Sequence, residues 1–216
     1  MRKVLLSFIF VLPFLLIACS KQTTLQQSMS EITKIYFSAQ GDGVKGNISV
    51  GEREENYLID GYHTENCEFS LIALQFEKLL PQNQIEVNLK INDESSKIVL
   101  DINPANNFYM TDLGYSLKGS DKIVISFENF VLNFENVSES FGVDYSQALK
   151  IGQDALGDKL NSYYQGKDFQ GEGYLKILTD KSQTGELFWV LTLVGKSNNK
   201  NNVVLSTADG EIIVLE

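Results

Sequence analysis

Ile85, Val87, Leu89 and Ile91 alternate with Glu86, Asn88 and Lys90, and beyond an Asn92-Asp93-Glu94 turn Ile98, Leu100 and Ile102 answer them. A period of two puts every apolar side chain on one face of a strand, so this stretch predicts a β-hairpin with one buried face. The period recurs upstream. Ile35, Phe37 and Ala39 alternate with polar residues, Gly41-Asp42-Gly43 turns the chain, and Val44, Gly46, Ile48 and Val50 return. A short strand is expected around Tyr57 to Ile59. Cys67 to Phe76 becomes apolar on both faces, as a covered central strand or a short helix would. Ile123 to Phe127 and Phe130 to Phe134 add two more strands, whereas Asn103 to Asn107, with Pro104, reads as a loop. Residues 31–137 are therefore expected to form an antiparallel β-sandwich or open barrel.

The pattern changes after Asn136. Asp144 and Gln147 have the spacing of a capping box, an acidic N-cap with Gln three residues on. Ala148, Leu149, Ala155, Leu156, Leu160, Tyr163 and Tyr164 then recur at helical intervals, with Gly166 as a stop. Gly152 and Gly157 each weaken such a helix by up to about 1 kcal/mol relative to Ala, so it must lean on a partner surface. Strands at Tyr174 to Leu178, Leu187 to Val194, Val203 to Thr207 and Ile212 to Leu215 supply one. The expected fold class is thus mainly β with a small α+β unit. One helix on an antiparallel sheet forms a second domain over 143–216.

The amino terminus has a separate logic. Arg2 and Lys3 precede an apolar run from Val4 to Ala18, interrupted by Pro13 and shorter than the ~20 residues a spanning helix needs. Charge, apolar run and small residue together predict an export signal over 1–18. Leu16-Ile17-Ala18-Cys19 resembles the lipobox of bacterial lipoproteins. That resemblance implies cleavage between Ala18 and Cys19 and a diacylglycerol on the Cys19 thiol. It also implies a lipid-anchored place on the extracytoplasmic face of the cell membrane, or in the outer membrane of a two-membrane cell. Residues 19–30 are polar and are expected to be a flexible tether reaching roughly 18 Å. Removing residues 1–18 leaves 16 basic and 28 acidic residues, a formal charge of −12. Such a surface is repelled by phosphate backbones, which argues against a nucleic-acid partner.

Two further resemblances bear on partners. The helix with Ala148 and Ala155, Phe188-Trp189-Val190, and Ser206-Thr207-Ala208-Asp209-Gly210-Glu211-Ile212-Ile213 together resemble a PepSY-type domain, with Ser206 and Asp209 departing from its usual pattern. The resemblance implies a binding or inhibitory module. Gly51-Glu52-Arg53-Glu54-Glu55-Asn56-Tyr57 and Phe108-Tyr109-Met110-Thr111-Asp112-Leu113 are similar to lipoproteins of low-GC Gram-positive bacteria, which imply no activity.

Chemistry-bearing patterns are sparse. His63 is the single histidine, so a multi-histidine zinc site is impossible and any His-dependent catalysis must use it. Glu52, Glu54, Glu55, Asp60, Glu65 and Glu68 surround it in sequence. They read as a solvated connection sooner than as a cation site, because calcium-loop spacing is absent. Cys67, the second of two cysteines, reads as a small buried residue in preference to a reactive thiol. Trp189, among Leu187, Phe188, Val190 and Leu191, reads as core, whereas Tyr109 and Tyr115 are candidates for an exposed contact surface. No cofactor, metal or catalytic activity is expected. The expected function is binding or regulation of another envelope protein. A carbohydrate or cell-wall ligand contacted by Tyr109, Tyr115, Glu52, Glu54, Asp60 and His63 is the alternative, and a carboxylate-dependent hydrolase the least favoured.

Overall fold

The computed structural model describes residues 25–55, 64–179, 185–195 and 199–216. Eight strands form the first unit: β1 (Met29–Gly41), β2 (Val44–Glu54), β3 (Asn66–Phe76), β4 (Gln84–Ile91), β5 (Glu94–Asn103), β6 (Phe108–Asp112), β7 (Ile123–Phe127) and β8 (Phe130–Asn136). Their order is β1-β2-β3-β6-β5-β4-β7-β8, every neighbouring pair is antiparallel, and β8 pairs back onto β1. The barrel is closed, where the sequence predicts a sandwich or an open barrel. Closure follows from the length of β1, whose Phe37 and Ser38 reach Asn136 and Glu135. The β4-β5-β6 meander has β3 beside its last strand and β7 beside its first, so two Greek keys overlap. Both predicted hairpins form, β1-β2 and β4-β5. The inward residues of all eight strands fill the interior, among them Phe37, Ile48, Ile72, Leu89, Leu100 and Ile125. An eight-stranded barrel is just wide enough for such filling.

β6 differs from expectation. Residues 108–112 carry no clean alternation, yet they pair with both β3 and β5. Residues 56–63, including the strand expected at Tyr57 to Ile59, lie outside the described residues.

The second unit holds α1 (Tyr145–Leu156), the short pair β9 (Tyr164–Gln165) and β10 (Asp168–Phe169), then β11 (Gly171–Thr179), β12 (Leu187–Gly195), β13 (Lys200–Ser206) and β14 (Ile212–Leu215). The last four form an antiparallel sheet in chain order. The capping box is present in full: Gln147 N–H donates to Asp144 Oδ1, and Asp144 N–H to the Gln147 side chain. α1 stops at Leu156, short of the predicted Tyr164. Gly157 takes φ +50°, and Gly157–Tyr163 continues as a 3-10 turn. Ala148, Leu149, Gly152 and Leu156 face the sheet, and a Cβ on Gly152 would lie 2.6 Å from Leu191 Cδ2. The glycine that weakens the helix also lets it sit close to Leu191. Trp189 is core as expected; its indole N–H donates to Val143 O at 2.8 Å.

The two units share β1. Met29 to Ile32 pairs in parallel with β11, a crossing absent from the purely antiparallel expectation, while Phe37 and Ser38 close the barrel. Leu25, Met29, Ile32 and Tyr36 belong to the second core, and Phe37 and Ala39 to the first. A 3-10 turn at Leu25–Ser28 precedes the strand, with Leu25 buried. The predicted tether over 19–30 is therefore too long. Residues 25–30 are packed structure, because Leu25 and Met29, isolated in a polar sequence, find a complete core waiting for them. The strand passes from one core to the other beside Gly51, where a Cβ would stand 1.9 Å from Ile32 O. Only glycine permits β1 and β2 to approach that closely at their bulge.

Candidate functional site

The structure scatters the predicted surface residues. Tyr109 is fully buried in β6, its hydroxyl donating to Gln82 O at 2.5 Å and its ring edge-on to Phe76. It is barrel core, contrary to expectation, because β6 is an interior strand of the sheet and not a loop. Tyr115 is exposed as predicted. Glu52 is ion-paired with Lys34 at 2.5 Å, and Glu54 is buried at the end of β2. The solvated carboxylate stretch expected around His63 therefore does not extend to Glu54. Asp60, His63, Ala18 and Cys19 lie outside the described residues. Cys67 is exposed, not buried, since the first residues of β3 project beyond the barrel interior.

Tyr115 borders a cleft of about 370 Å³ between the β4-β5 turn and the loop before β7, lined also by Asn92, Ser95, Ser96, Lys118 and Asp121. That size falls in the small-ligand range, roughly 300–1,000 Å³. Two of its polar side chains, Asn92 and Asp121, are spent on each other and on the backbone. Asp121 accepts from Asn92 Nδ2 at 3.0 Å and from Lys118 N at 2.8 Å, and Asn92 Oδ1 accepts from Lys122 N at 3.0 Å. The Tyr115 loop is pinned likewise: Ser70, buried in β3, donates to Tyr115 O and accepts from Leu117 N. These bonds stitch loop to hairpin.

A second polar concentration lies where β1, β2 and β11 meet, and it was not legible in the sequence. Glu31, Glu54 and Glu172 are buried there. Lys176 Nζ stands 2.9 Å from Glu31 Oε2, and the Tyr174 hydroxyl donates to Glu172 Oε2 at 2.6 Å. Burial raises the Tyr174 phenol above its ordinary value, and the hydrogen bond to Glu172 with the charges of Glu172, Glu54 and Glu31 push it further. A phenol so firmly protonated is no base at neutral pH, and Lys176 is engaged with Glu31. Nor does any group of three or more His, Cys, Asp or Glu among the described residues have the arrangement to hold a metal ion. The cluster joins strands. Glu31 and Lys176 stand more than a hundred residues apart, and only the glycines around Glu172 hint that this carboxylate lies in a crowded place.

No helix among the described residues is long and apolar enough to cross a membrane. No protein-family model matches this sequence, and no curated protein or solved structure matches it.

Proposed function

We propose that this is a lipid-anchored, extracytoplasmic protein without catalytic activity, which binds or regulates another protein of the cell envelope, and that residues 143–216 are a PepSY-like binding unit. The observation that carries the reading is how soon the packed fold begins after the lipobox-like Cys19. Leu25, six residues on, is already buried. Six residues span at most about 22 Å even when fully extended. A lipid on Cys19 would hold the second unit against the headgroups, within reach of membrane proteins and with little freedom to scan the wall. The acidic surface keeps it from adhering to anionic lipid by itself. Two acyl chains or more suffice for stable anchoring.

Crosslinking in the native membrane, with identification by mass spectrometry and a Cys19→Ala control, tests this. A specific envelope protein, lost with the anchor, is the expected result. Recovery of wall polymer alone, or no difference between the wild type and Cys19→Ala, would overturn it.

A further inference from the structure

Among the described residues β14 is the outermost strand of the twelve-stranded sheet, with β13 on one side only. It is also uniformly apolar and uniformly exposed: Ile212, Ile213, Val214 and Leu215 retain 44%, 50%, 36% and 44% of their accessible surface. α1 packs over β12 and β13 and leaves this edge outside its cover. An exposed apolar edge strand is a template for strand addition unless something blocks it.

The blocking devices here are selective. Glu211 and Glu216 bracket the four apolar residues. Two copies of β14 pairing along this edge would bring Glu211 and Glu216 of each, four carboxylates, to one seam, in a chain whose net charge is already −10. Self-pairing is disfavoured, and a strand with basic ends meets the opposite field. The backbone is ready for it. Glu216 and Asn202 exchange both their backbone hydrogen bonds, at 3.0 and 3.1 Å. By the alternation of an antiparallel ladder, the N–H and C=O of Leu215 then point away from β13. The bulge where β14 slips against Val204 and Leu205 lies toward Ile212, leaving the Val214 to Glu216 end regular.

We propose that β14 is a docking edge for an extended segment of a partner protein, apolar at its centre and carrying Lys or Arg at both ends, which adds as a further strand beyond Leu215. This deepens the envelope-protein reading above and rests on it for the partner's whereabouts. The edge itself is testable alone.

The purified full-length chain in detergent micelles is titrated with a blocked peptide, Lys-Val-Thr-Val-Thr-Lys, and with its Glu-flanked counterpart. The Lys-flanked peptide is expected to bind at least tenfold more tightly. Leu215→Pro removes an N–H that points away from β13 and is tolerated on an edge strand, so it should weaken that binding tenfold or more while the β13 ladder stays in place, with Leu215→Ala as the control for the lost side chain. The exposed pair Glu211→Lys with Glu216→Lys should invert the peptide preference without touching the ladder. Equal binding of the two peptides, no binding of either, or unchanged preference after charge reversal would overturn the proposal. So would sedimentation of the wild type as a dimer that Leu215→Pro dissolves, since the occupant would then be a second copy. An envelope protein crosslinked equally by wild type and Leu215→Pro would overturn the docking edge and leave the envelope-protein reading standing.

Discussion

Tyr174 sits among three buried carboxylates. Its hydroxyl donates to Glu172, and Glu54 and Glu31 lie within electrostatic reach. Burial and these carboxylates raise its pKa above the unfolded value near 10. The folded state then holds the phenolic proton more tightly than the unfolded state does. The stabilisation is complete below about pH 10 and is lost as pH rises towards the folded pKa. Tyr36 and Tyr164, both raised by burial, act in the same direction. Urea unfolding between pH 9 and 11 should show stability falling with pH, less steeply in Tyr174→Phe than in the wild type. An unchanged slope would mean that neither burial nor the carboxylates hold the proton on this phenol more tightly in the folded state. Such convergence is invisible in a linear reading, because Glu31 and Glu172 become neighbours only when β1 pairs with β11. Tyr109 and Cys67 exchanged their expected environments for a similar reason. What decides exposure is a residue's place across the barrel wall and along its strand, and that is not written in its sequence neighbours.

At the scale of elements, local chemistry was the better guide. α1 begins where Asp144 and Gln147 say it should, with both capping bonds made. Asp144→Ala should cost about 1 kcal/mol, read as a lower urea midpoint with an unchanged slope. A larger loss would mean that Asp144 also serves the Val143–Trp189 contact beside it. The far end of α1 was less legible. Helical spacing continues through Leu160 and Tyr163, and the 3-10 helix keeps both on or near the core with i→i+3 in place of α-helical bonding. The β4-β5 hairpin was read from alternation alone, whereas β6 was missed. A five-residue strand whose neighbours are β3 and β5 takes its conformation from them and needs no period of its own.

At the scale of the molecule, β1 makes one sheet of two cores. Its Ile32 and Tyr36 pack with the second unit, and Phe37 and Ala39 with the barrel. Neither core can lose this strand without exposing the other. Calorimetry should therefore record a single transition whose van't Hoff and calorimetric enthalpies agree. Gly51→Ala, whose Cβ would meet Ile32 O at 1.9 Å, should lower that one transition by about 1–3 kcal/mol. Two separate transitions, or a change in only one, would refute the coupling. By itself the sequence determined the mainly β class, two hairpins, the helix start and the change of pattern after Asn136, since each follows from periodicity or capping within a dozen residues. Barrel closure, the parallel β1-β11 crossing, the buried carboxylates at the seam and the uncovered β14 edge were decided only in three dimensions. Each depends on which strands become neighbours, and pairing between segments a hundred residues apart is set by how the whole chain can bury its apolar faces at once.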